Sequence, residues 1–350
     1  MSGAAAIEKT SVNGIPAIRL SAGGYAASIC PSMGANCFQL ERGGASFLRT
    51  PPSLGVFREN PNVYGLPLLF PPNRVGGGKY LFQGREYRLP VNEIGRGNHI
   101  HGFLSSAEFS LLGTETGSAA PGGVVAAGYG DAGREGRDSC GATFTYEATR
   151  EAPYSSFSHE FRVILGYSLS GGGLVQRLEV ENRGDSDMPI GLGFHAAFNC
   201  PFLPGTSPDE YLLRLSVSEE LLLDGSTFIP TGEVARASRL VSALRGEGAR
   251  PQGGAISSHF RGERGRPGRA VLSHVPSGRS IAYETDPLFA FWMVWNQGGD
   301  KGFICPEPQT WMVDAPNSAL PPEESGFRAL RPGASIVLRS TLSEIDNQRR

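Results

Sequence analysis

The sequence lacks the features that define several large classes of protein. Its 350 residues include only five cysteines, which are scattered and form no C-x-x-C pair, so neither a disulfide framework nor a cysteine-based zinc site is expected. No apolar run is long enough to span a membrane. The first ten residues have no charged segment followed by an apolar core, and the expected compartment is therefore the cytoplasm.

Charge is also scarce. Charged residues make up 19% of the chain, the formal net charge is -2 and the pI is near 6.3. A protein with this balance is not expected to bind nucleic acid or an anionic membrane surface. The one basic stretch, residues 261–269, is interrupted by Gly and Pro and is interpreted as a solvated loop.

Several catalytic signatures are missing as well. The sequence has no G-x-S-x-G elbow, no Walker loop and no H-E-x-x-H motif. His99 and His101 are two residues apart, but no third ligand is evident, so no metal site is predicted.

Glycine and proline, in contrast, are abundant. The chain has 48 Gly and 26 Pro, about a fifth of its residues against about 12% in average proteins. They separate short segments in which every second residue is apolar, most clearly residues 143–149, 157–169 and 174–181. No amphipathic helix longer than about two turns is evident. The pattern predicts an all-β fold, an antiparallel sandwich or barrel.

The same pattern predicts the domain organisation. We expect one β domain over residues 13–343, with tails at residues 1–12 and 344–350. Residues 240–244 are predicted as a further strand. Residues 113–140 are interpreted as a long connection with one short strand at 124–129.

The first candidate site lies in residues 60–103. Two prolines after an apolar run end any helix or central strand, so Asn73 and Arg74 follow a rigid turn. An amide and the fixed fork of donors of an Arg are suited to holding a polyol. Residues 79–89 form a hairpin pattern around Gln-Gly, and His101 follows it. Taken alone, an Arg after two prolines is as often an ordinary surface residue.

Two further residues suggest acid–base chemistry. His195 lies among glycines and aromatic residues, and Glu307 lies between two prolines after an apolar strand. Desolvation would raise the pKa of Glu307 towards that of a general base, and a histidine is a suitable partner acid. Each has a simpler explanation, because His195 could be a packed core histidine and Glu307 could end a turn or pair with an Arg. His159 lies on the inward face of its predicted strand and is interpreted as a packed, hydrogen-bonded histidine.

Taken together, these motifs resemble the aldose 1-epimerase (galactose mutarotase) family. The resemblance spans nearly the whole chain in the correct order and lies in residues 67–74, the hairpin leading to His101-Gly102, Phe194-His195 with Asn199, residues 229–233, residues 305–310 with 314–317, and residues 330–333.

This resemblance implies a large antiparallel β-sandwich, the galactose mutarotase-like supersandwich, with an open sugar-binding cleft and no metal or organic cofactor. Glu307 would take the proton from the C1 hydroxyl, and His195 would protonate the ring oxygen. Arg74 and His101 would bind the sugar, as would Asn73 and Gln309. The expected partner is a monosaccharide substrate, and the protein is expected to be a monomer or homodimer.

The chain departs from the family where an aspartate usually binds sugar hydroxyls. The comparable segment, residues 254–260, has no aspartate, and either His259 or a serine is the expected substitute. Two other functions remain open beside mutarotation of a free aldohexose. One is non-catalytic sugar binding or sensing on the same fold, and the other is epimerisation of a sugar phosphate.

Overall fold

A computed structural model describes residues 4–117 and 138–346. The strands of the described residues are, in chain order, β1 (Ala6–Val12), β2 (Ile15–Ala22), β3 (Tyr25–Cys30), β4 (Asn36–Arg42), β5 (Ala45–Ser46), β6 (Leu68–Leu69), β7 (Arg74–Gly76), β8 (Lys79–Phe82), β9 (Arg85–Arg88), β10 (Asn98–Ile100), β11 (Ser110–Thr116), β12 (Cys140–Ala148), β13 (Phe161–Ser170), β14 (Gly173–Asn182), β15 (Met188–Ile190), β16 (Gly193–Phe194), β17 (Phe198–Asn199), β18 (Tyr211–Leu215), β19 (Val217–Leu223), β20 (Pro230–Ala235), β21 (Ser257–Gly262), β22 (Gly268–His274), β23 (Arg279–Thr285), β24 (Phe291–Trp295), β25 (Phe303–Gln309), β26 (Arg328–Leu330) and β27 (Ser335–Asp346).

Helices are few and short in the same residues. They are α1 (Leu54–Glu59), α2 (Arg239–Arg245) and α3 (Pro322–Ser325), together with single 3-10 turns. None of these helices is long and apolar enough to cross a membrane.

Most strands belong to three antiparallel sheets. The first is a meander in the order β1-β2-β3-β4-β5, and the second has the order β11-β12-β13-β14-β27-β23-β22-β18. The third has the order β20-β19-β21-β24-β25-β16-β6, with β17 also paired to β25. The main hydrophobic core takes residues from all three sheets. The predicted all-β fold is therefore confirmed.

The second sheet shows how the alternating pattern builds this core. Every second residue of β13 is buried, and Phe161, Val163 and Leu165 are fully excluded from solvent. Each such side chain contributes about 1.5–3 kcal/mol relative to an exposed position. The prediction for His159 is also confirmed, since the ring is buried and its Nε2 lies 2.8 Å from the Tyr87 hydroxyl.

The structure differs from the sequence predictions in three places. Residues 6–12, predicted as a tail, form β1 and pair with β2, and β27 continues to residue 346, into the other predicted tail. Residues 240–244 form α2 rather than a strand, because the Ser238 hydroxyl accepts from Val241 N and caps a helix whose Val241 and Leu244 are buried three residues apart. The strand predicted at 124–129 lies outside the described residues.

Two small elements frame the region of interest. The predicted hairpin is present as β8 and β9, with Gln83 and Gly84 both at positive φ in the turn. Beside it, β7 pairs with β10 so that Arg74 lies opposite Ile100. This pairing brings the end of the proline turn next to the residues that precede His101.

Candidate active site

The candidate site lies where the third sheet is interrupted. Gly193 of β16 lies opposite Gln309, and Phe198 of β17 lies opposite Ile304, in the same register. Continuing this register between the two pairs would place His195 directly opposite Glu307. Residues 194–197 and 305–308, called here the open stretch, do not pair with each other.

Prolines explain the open stretch. The register places Pro308 opposite Phe194 and Pro306 opposite Ala196, and proline has no N–H to donate to a ladder. Strand β25 nevertheless stays paired with β24 along its other edge, where Met293 lies opposite Glu307. Glu307 is thus inside a strand, and the expectation that it follows one was wrong, because the prolines face the interrupted edge.

The segment between β16 and β17, which carries His195, is held from its other side. His195 N donates to Pro67 O at 3.1 Å, and Ala197 N donates to Gly65 O at 2.9 Å. The backbone around His195 is therefore fixed although it makes no ladder with β25. Within the open stretch, the side chains of His195 and Glu307 face each other.

His195 and Glu307 form a close, buried pair. His195 Nε2 lies 3.2 Å from Glu307 Oε1, and the two residues are 4% and 1% exposed. Burial raises the pKa of Glu307 well above its ordinary value, although the charge of Arg74 acts in the opposite direction. Burial lowers the pKa of His195 to about 4, and the Arg74 charge adds to this. Both shifts favour the uncharged forms, a protonated carboxyl group beside a neutral imidazole.

His101 and Asn73 complete one side of the site. The His101 ring lies edge-on to the His195 ring, with centroids 5.1 Å apart. His101 N donates to Asn73 O at 3.0 Å, and both residues have positive φ, 65° and 55°. Such conformations cost of order 1 kcal/mol or more for a residue with a Cβ and are concentrated at functional sites.

His99, the alternative to His101, points elsewhere. Its Nδ1 lies 2.8 Å from Pro90 O, and its ring packs against Phe103. Residues two apart in a strand point to the same face, so the sequence could not tell which of the two histidines faces the site. His101 leaves the strand through its positive φ, and this turns its ring towards His195.

Arg74 extends the site on the same small sheet. Its Nε and Nη2 donate to the two oxygens of Glu93, each at 2.8 Å, and its Nη1 donates to Asn73 Oδ1 at 3.2 Å. Its positive charge acts on the pKa values of His101, His195 and Glu307. Arg74 therefore lies within electrostatic reach of the pair.

Several buried polar atoms around the pair make no hydrogen bond to any described residue. They are Glu307 Oε2, His195 Nδ1, His101 Nδ1 and both amide atoms of Gln309. Burying a polar atom without a partner costs about 1–3 kcal/mol. Native proteins contain few such atoms, so a group of five at one site marks it as a candidate for binding a polar ligand.

An aromatic side chain borders the pair on the neighbouring strand. Trp295 is partly exposed, whereas the rest of β24 is buried. Its ring meets the His195 ring at 5.6 Å and packs against Phe303, over which the Arg49 guanidinium stacks. A partly exposed indole beside acid–base groups is a suitable surface for the apolar face of a sugar ring.

His259 does not replace the missing aspartate. It is fully buried, its Nε2 accepts from Val313 N at 3.1 Å, and its Nδ1 lies 3.2 Å from Trp292 O. Neither ring nitrogen is left for a ligand, so that expectation was wrong. Ser257, the serine that pairs with Trp295 across β21 and β24, stays the candidate.

The structure brings all six predicted site residues into one cluster. His195, Glu307 and Gln309 come from the third sheet, and Asn73, Arg74 and His101 come from the ends of β7 and β10. Within the described ranges, no group of three His, Cys, Asp or Glu side chains could hold a metal ion. Glu93 was missed, because an acidic residue between Asn and Ile carries no recognisable signal.

Comparison with known proteins identifies relatives along the whole chain. A family model described as aldose 1-epimerase matches residues 16–343. The crystal structure of a galactose mutarotase-like protein from Clostridium acetobutylicum has a TM-score of 0.88 with this chain at 29% identity, and the match covers 98% of this chain and 99% of that one.

Two curated proteins match over shorter regions. YihR of Escherichia coli strain K12, an uncharacterised protein, is 26% identical over 153 residues, which are 44% of this chain and 41% of YihR. Galactose mutarotase of Rattus norvegicus is 27% identical over 175 residues, which are 49% of this chain and 42% of the rat protein. The chain thus spans less than half the length of these two curated relatives.

The first prediction concerns Gly102, next to His101. Gly102 has φ 64°, and a Cβ there would lie 1.8 Å from Phe70 O. We expect G102A to lower the free energy of unfolding by several kcal/mol and to displace His101. The control G84A also adds a Cβ at positive φ, but into open space, and should cost about 1 kcal/mol. Equal losses in urea denaturation would contradict the steric argument.

The second prediction concerns the buried carboxyl group. The pKa of Glu307 is higher in the folded protein than in the unfolded chain. At pH values between these two pKa values, unfolding releases a proton, so folding stability falls as pH rises through that range. E307Q removes this loss. Its free energy of unfolding minus that of wild type should increase from pH 4 to pH 8, as measured by urea denaturation.

The matched control is E263Q, which alters a surface carboxylate paired with Arg266. Its stability should stay within about 0.5 kcal/mol of wild type at both pH values. If the difference for E307Q instead shrinks as pH rises, Glu307 is ionised in the folded protein and the neutral pair is wrong.

Proposed function

The chain belongs to the aldose 1-epimerase family, and from this premise we propose that it is a mutarotase that interconverts the α and β anomers of a free aldohexose. The observation that carries the proposal is the buried His195–Glu307 pair at 3.2 Å, in which one atom of each residue, together with three atoms of His101 and Gln309, has no described hydrogen-bond partner. Ring opening must remove a proton from the C1 hydroxyl and deliver one to the ring oxygen. These oxygens share a carbon, so the acid and base must be adjacent.

The one proton of the pair is sufficient for this reaction. In the free protein the proton is on Glu307, and its transfer to His195 Nε2 gives a carboxylate and an imidazolium without changing the net charge of the site. Sugar hydroxyls that donate to Glu307 Oε2 would stabilise the carboxylate form. Glu307 then acts as base towards the C1 hydroxyl while His195 acts as acid towards the ring oxygen.

Ring closure reverses the two roles. The open-chain aldehyde rotates about the bond to C1, His195 accepts the proton of the attacking hydroxyl, and Glu307 returns a proton to the new C1 oxygen. Closure on the other face gives the other anomer. The pair ends with the proton it started with, so no cofactor or net proton exchange with solvent is required.

The remaining residues are proposed to orient the sugar. Arg74, His101, Asn73 and Gln309 would contact hydroxyl groups or the ring oxygen, and Trp295 would pack against the apolar face of the ring. Orientation of this kind supplies much of the rate enhancement in reactions of bound groups. The burial of Gln309, with both amide atoms unpartnered, supports a direct role for it.

A sugar phosphate is a weaker candidate. Among the described residues near the site, Arg74 and Arg96 share Glu93, and Arg236 and Arg261 share Glu219. These arginines already have carboxylate partners, which favours an uncharged sugar. The rest of the basic stretch after Arg261 lies beyond β21, where Arg266 and Arg269 also pair with glutamates.

The activity test follows freshly dissolved α-glucose and α-galactose by polarimetry or NMR. Wild type should accelerate equilibration of at least one sugar, and E307Q should lower kcat by about 10²- to 10⁴-fold, the usual contribution of one acid–base group. E263Q should behave as wild type. Saturable sugar binding without acceleration by wild type would favour the non-catalytic sensor, and full activity of E307Q would remove Glu307 from catalysis.

The pH dependence of kcat/KM provides a separate check. After subtraction of the uncatalysed rate, kcat/KM should be flat near neutral pH and should fall on the acid side near pH 4. There His195 becomes protonated while Glu307 keeps its own proton, so the pair has no base. The alkaline limb should lie well above pH 4.5, where the pair loses its proton. An acid limb near pH 6.5 would show that burial does not lower the pKa of His195.

A further inference from the structure

Glu93 holds Arg74 more extensively than a surface ion pair would. Its two carboxylate oxygens accept from Nε and Nη2 of Arg74, each at 2.8 Å, with both side chains largely buried. Paired hydrogen bonds of this kind fix the plane of a guanidinium as well as its position. The Nη1 bond to Asn73 Oδ1 holds the third nitrogen. Arg74 therefore has one orientation before any ligand binds.

Glu93 is itself fixed by the backbone of β10. Its N–H donates to Asn98 O at 3.0 Å, and its Oε2 accepts from Asn98 Nδ2 at 3.0 Å. Burial tends to raise the pKa of Glu93, but the bonds from Arg74 and Asn98 and the charges of Arg74 and Arg96 outweigh it, so the pKa is lowered. Glu93 is thus ionised near neutral pH.

A loop from the third sheet closes over this arrangement. Asn98 Nδ2 also donates to Thr227 O at 2.8 Å, and Arg96 Nη1 donates to Ser226 O at 2.6 Å. Phe228, at positive φ, places its ring 3.7 Å from the Arg96 guanidinium and 5.1 Å from that of Arg74. Two arginines therefore lie beside one carboxylate, whose bidentate contact at 2.8 Å is with Arg74, while Arg96 lies 3.5 Å away.

We propose that Glu93 is a positioning residue for sugar recognition, which holds Arg74 in its binding orientation and offsets its charge so that the cleft favours an uncharged sugar over an anionic one. The inference rests on the proposed function and goes beyond it, because it gives a role to a residue outside the acid–base pair. Glu93 acts through Arg74, and its removal should therefore matter only while Arg74 is present.

A double-mutant cycle tests the positioning role. E93Q should raise KM for the preferred aldose about tenfold with a smaller change in kcat, whereas E93Q in an R74Q background should change KM less than about twofold, because the two residues act as a unit. If Glu93 had only a structural role, E93Q would lower stability, but its effect on KM would not disappear in the R74Q background. Additive effects of E93Q and R74Q would overturn the proposal.

A second variant separates position from charge. E93D keeps the carboxylate but shortens it, so KM should rise while inhibition by inorganic phosphate stays as in wild type. E93Q leaves Arg74 and Arg96 unbalanced, so phosphate should inhibit it at least about threefold more strongly than wild type. Unchanged phosphate inhibition of E93Q would overturn the charge-balancing role. The control E263Q should change neither quantity.

The same variants distinguish this inference from the proposed function. Sugar affinity can be read without any turnover from intrinsic tryptophan fluorescence, to which Trp295 contributes with Trp292 and Trp311. If wild type binds sugar but does not interconvert anomers, the mutarotase proposal fails, and the double-mutant cycle is evaluated on Kd instead of KM. Loss of the E93Q effect on Kd in the R74Q background would still support the positioning role of Glu93. If wild type neither binds nor converts any aldose, both proposals fail. If wild type is active and E93Q retains its KM, the Glu93 inference alone fails.

Discussion

The rest of the site depends on one missing piece of backbone pairing. Pro306 and Pro308 cannot donate to the segment between β16 and β17 that carries His195, so no β-bridge joins β25 to that segment until Phe198. Residues opposite each other in an antiparallel pair project their side chains to the same face, so the register that continues across the interruption places His195 and Glu307 side by side. The interruption removes backbone hydrogen bonds at the pair without separating the two side chains.

Burial explains why the acid and base must be considered as a pair. Neither the imidazolium nor the carboxylate is favoured alone in this environment, and this is what moves the two pKa values towards the uncharged forms. In the proposed mechanism they share a single proton that can reside on either partner at constant net charge. The charge of Arg74 lowers the pKa of both groups, so its ion pair with Glu93 is part of the same electrostatic arrangement.

The sequence predicted those parts of the site that are built from unusual local patterns. Prolines beside Glu307, glycines around His195 and the proline turn before Arg74 are visible without any structure, and alternation in β13 and β14 was sufficient for the fold class. Arg74 reaches Glu93 through the pairing of β7 with β10, and Trp295 reaches His195 through the pairing of strands in the third sheet, neither of which a single sequence encodes locally. The error over residues 240–244 has a similar origin, because five residues fit a short strand and a short helix equally well until the Ser238 cap is recognised.

The prolines also constrain the register of β25. Because they have no N–H, they can occupy only positions that do not donate to β24, which are the Trp292 and Val294 pairs in the observed register. A slip of one residue would remove two hydrogen bonds to β24 and would turn Glu307 to the opposite face of the sheet, away from His195. The same two residues thus open one edge of the strand and fix the other. The prolines therefore favour the one register of β25 in which Glu307 lies opposite His195.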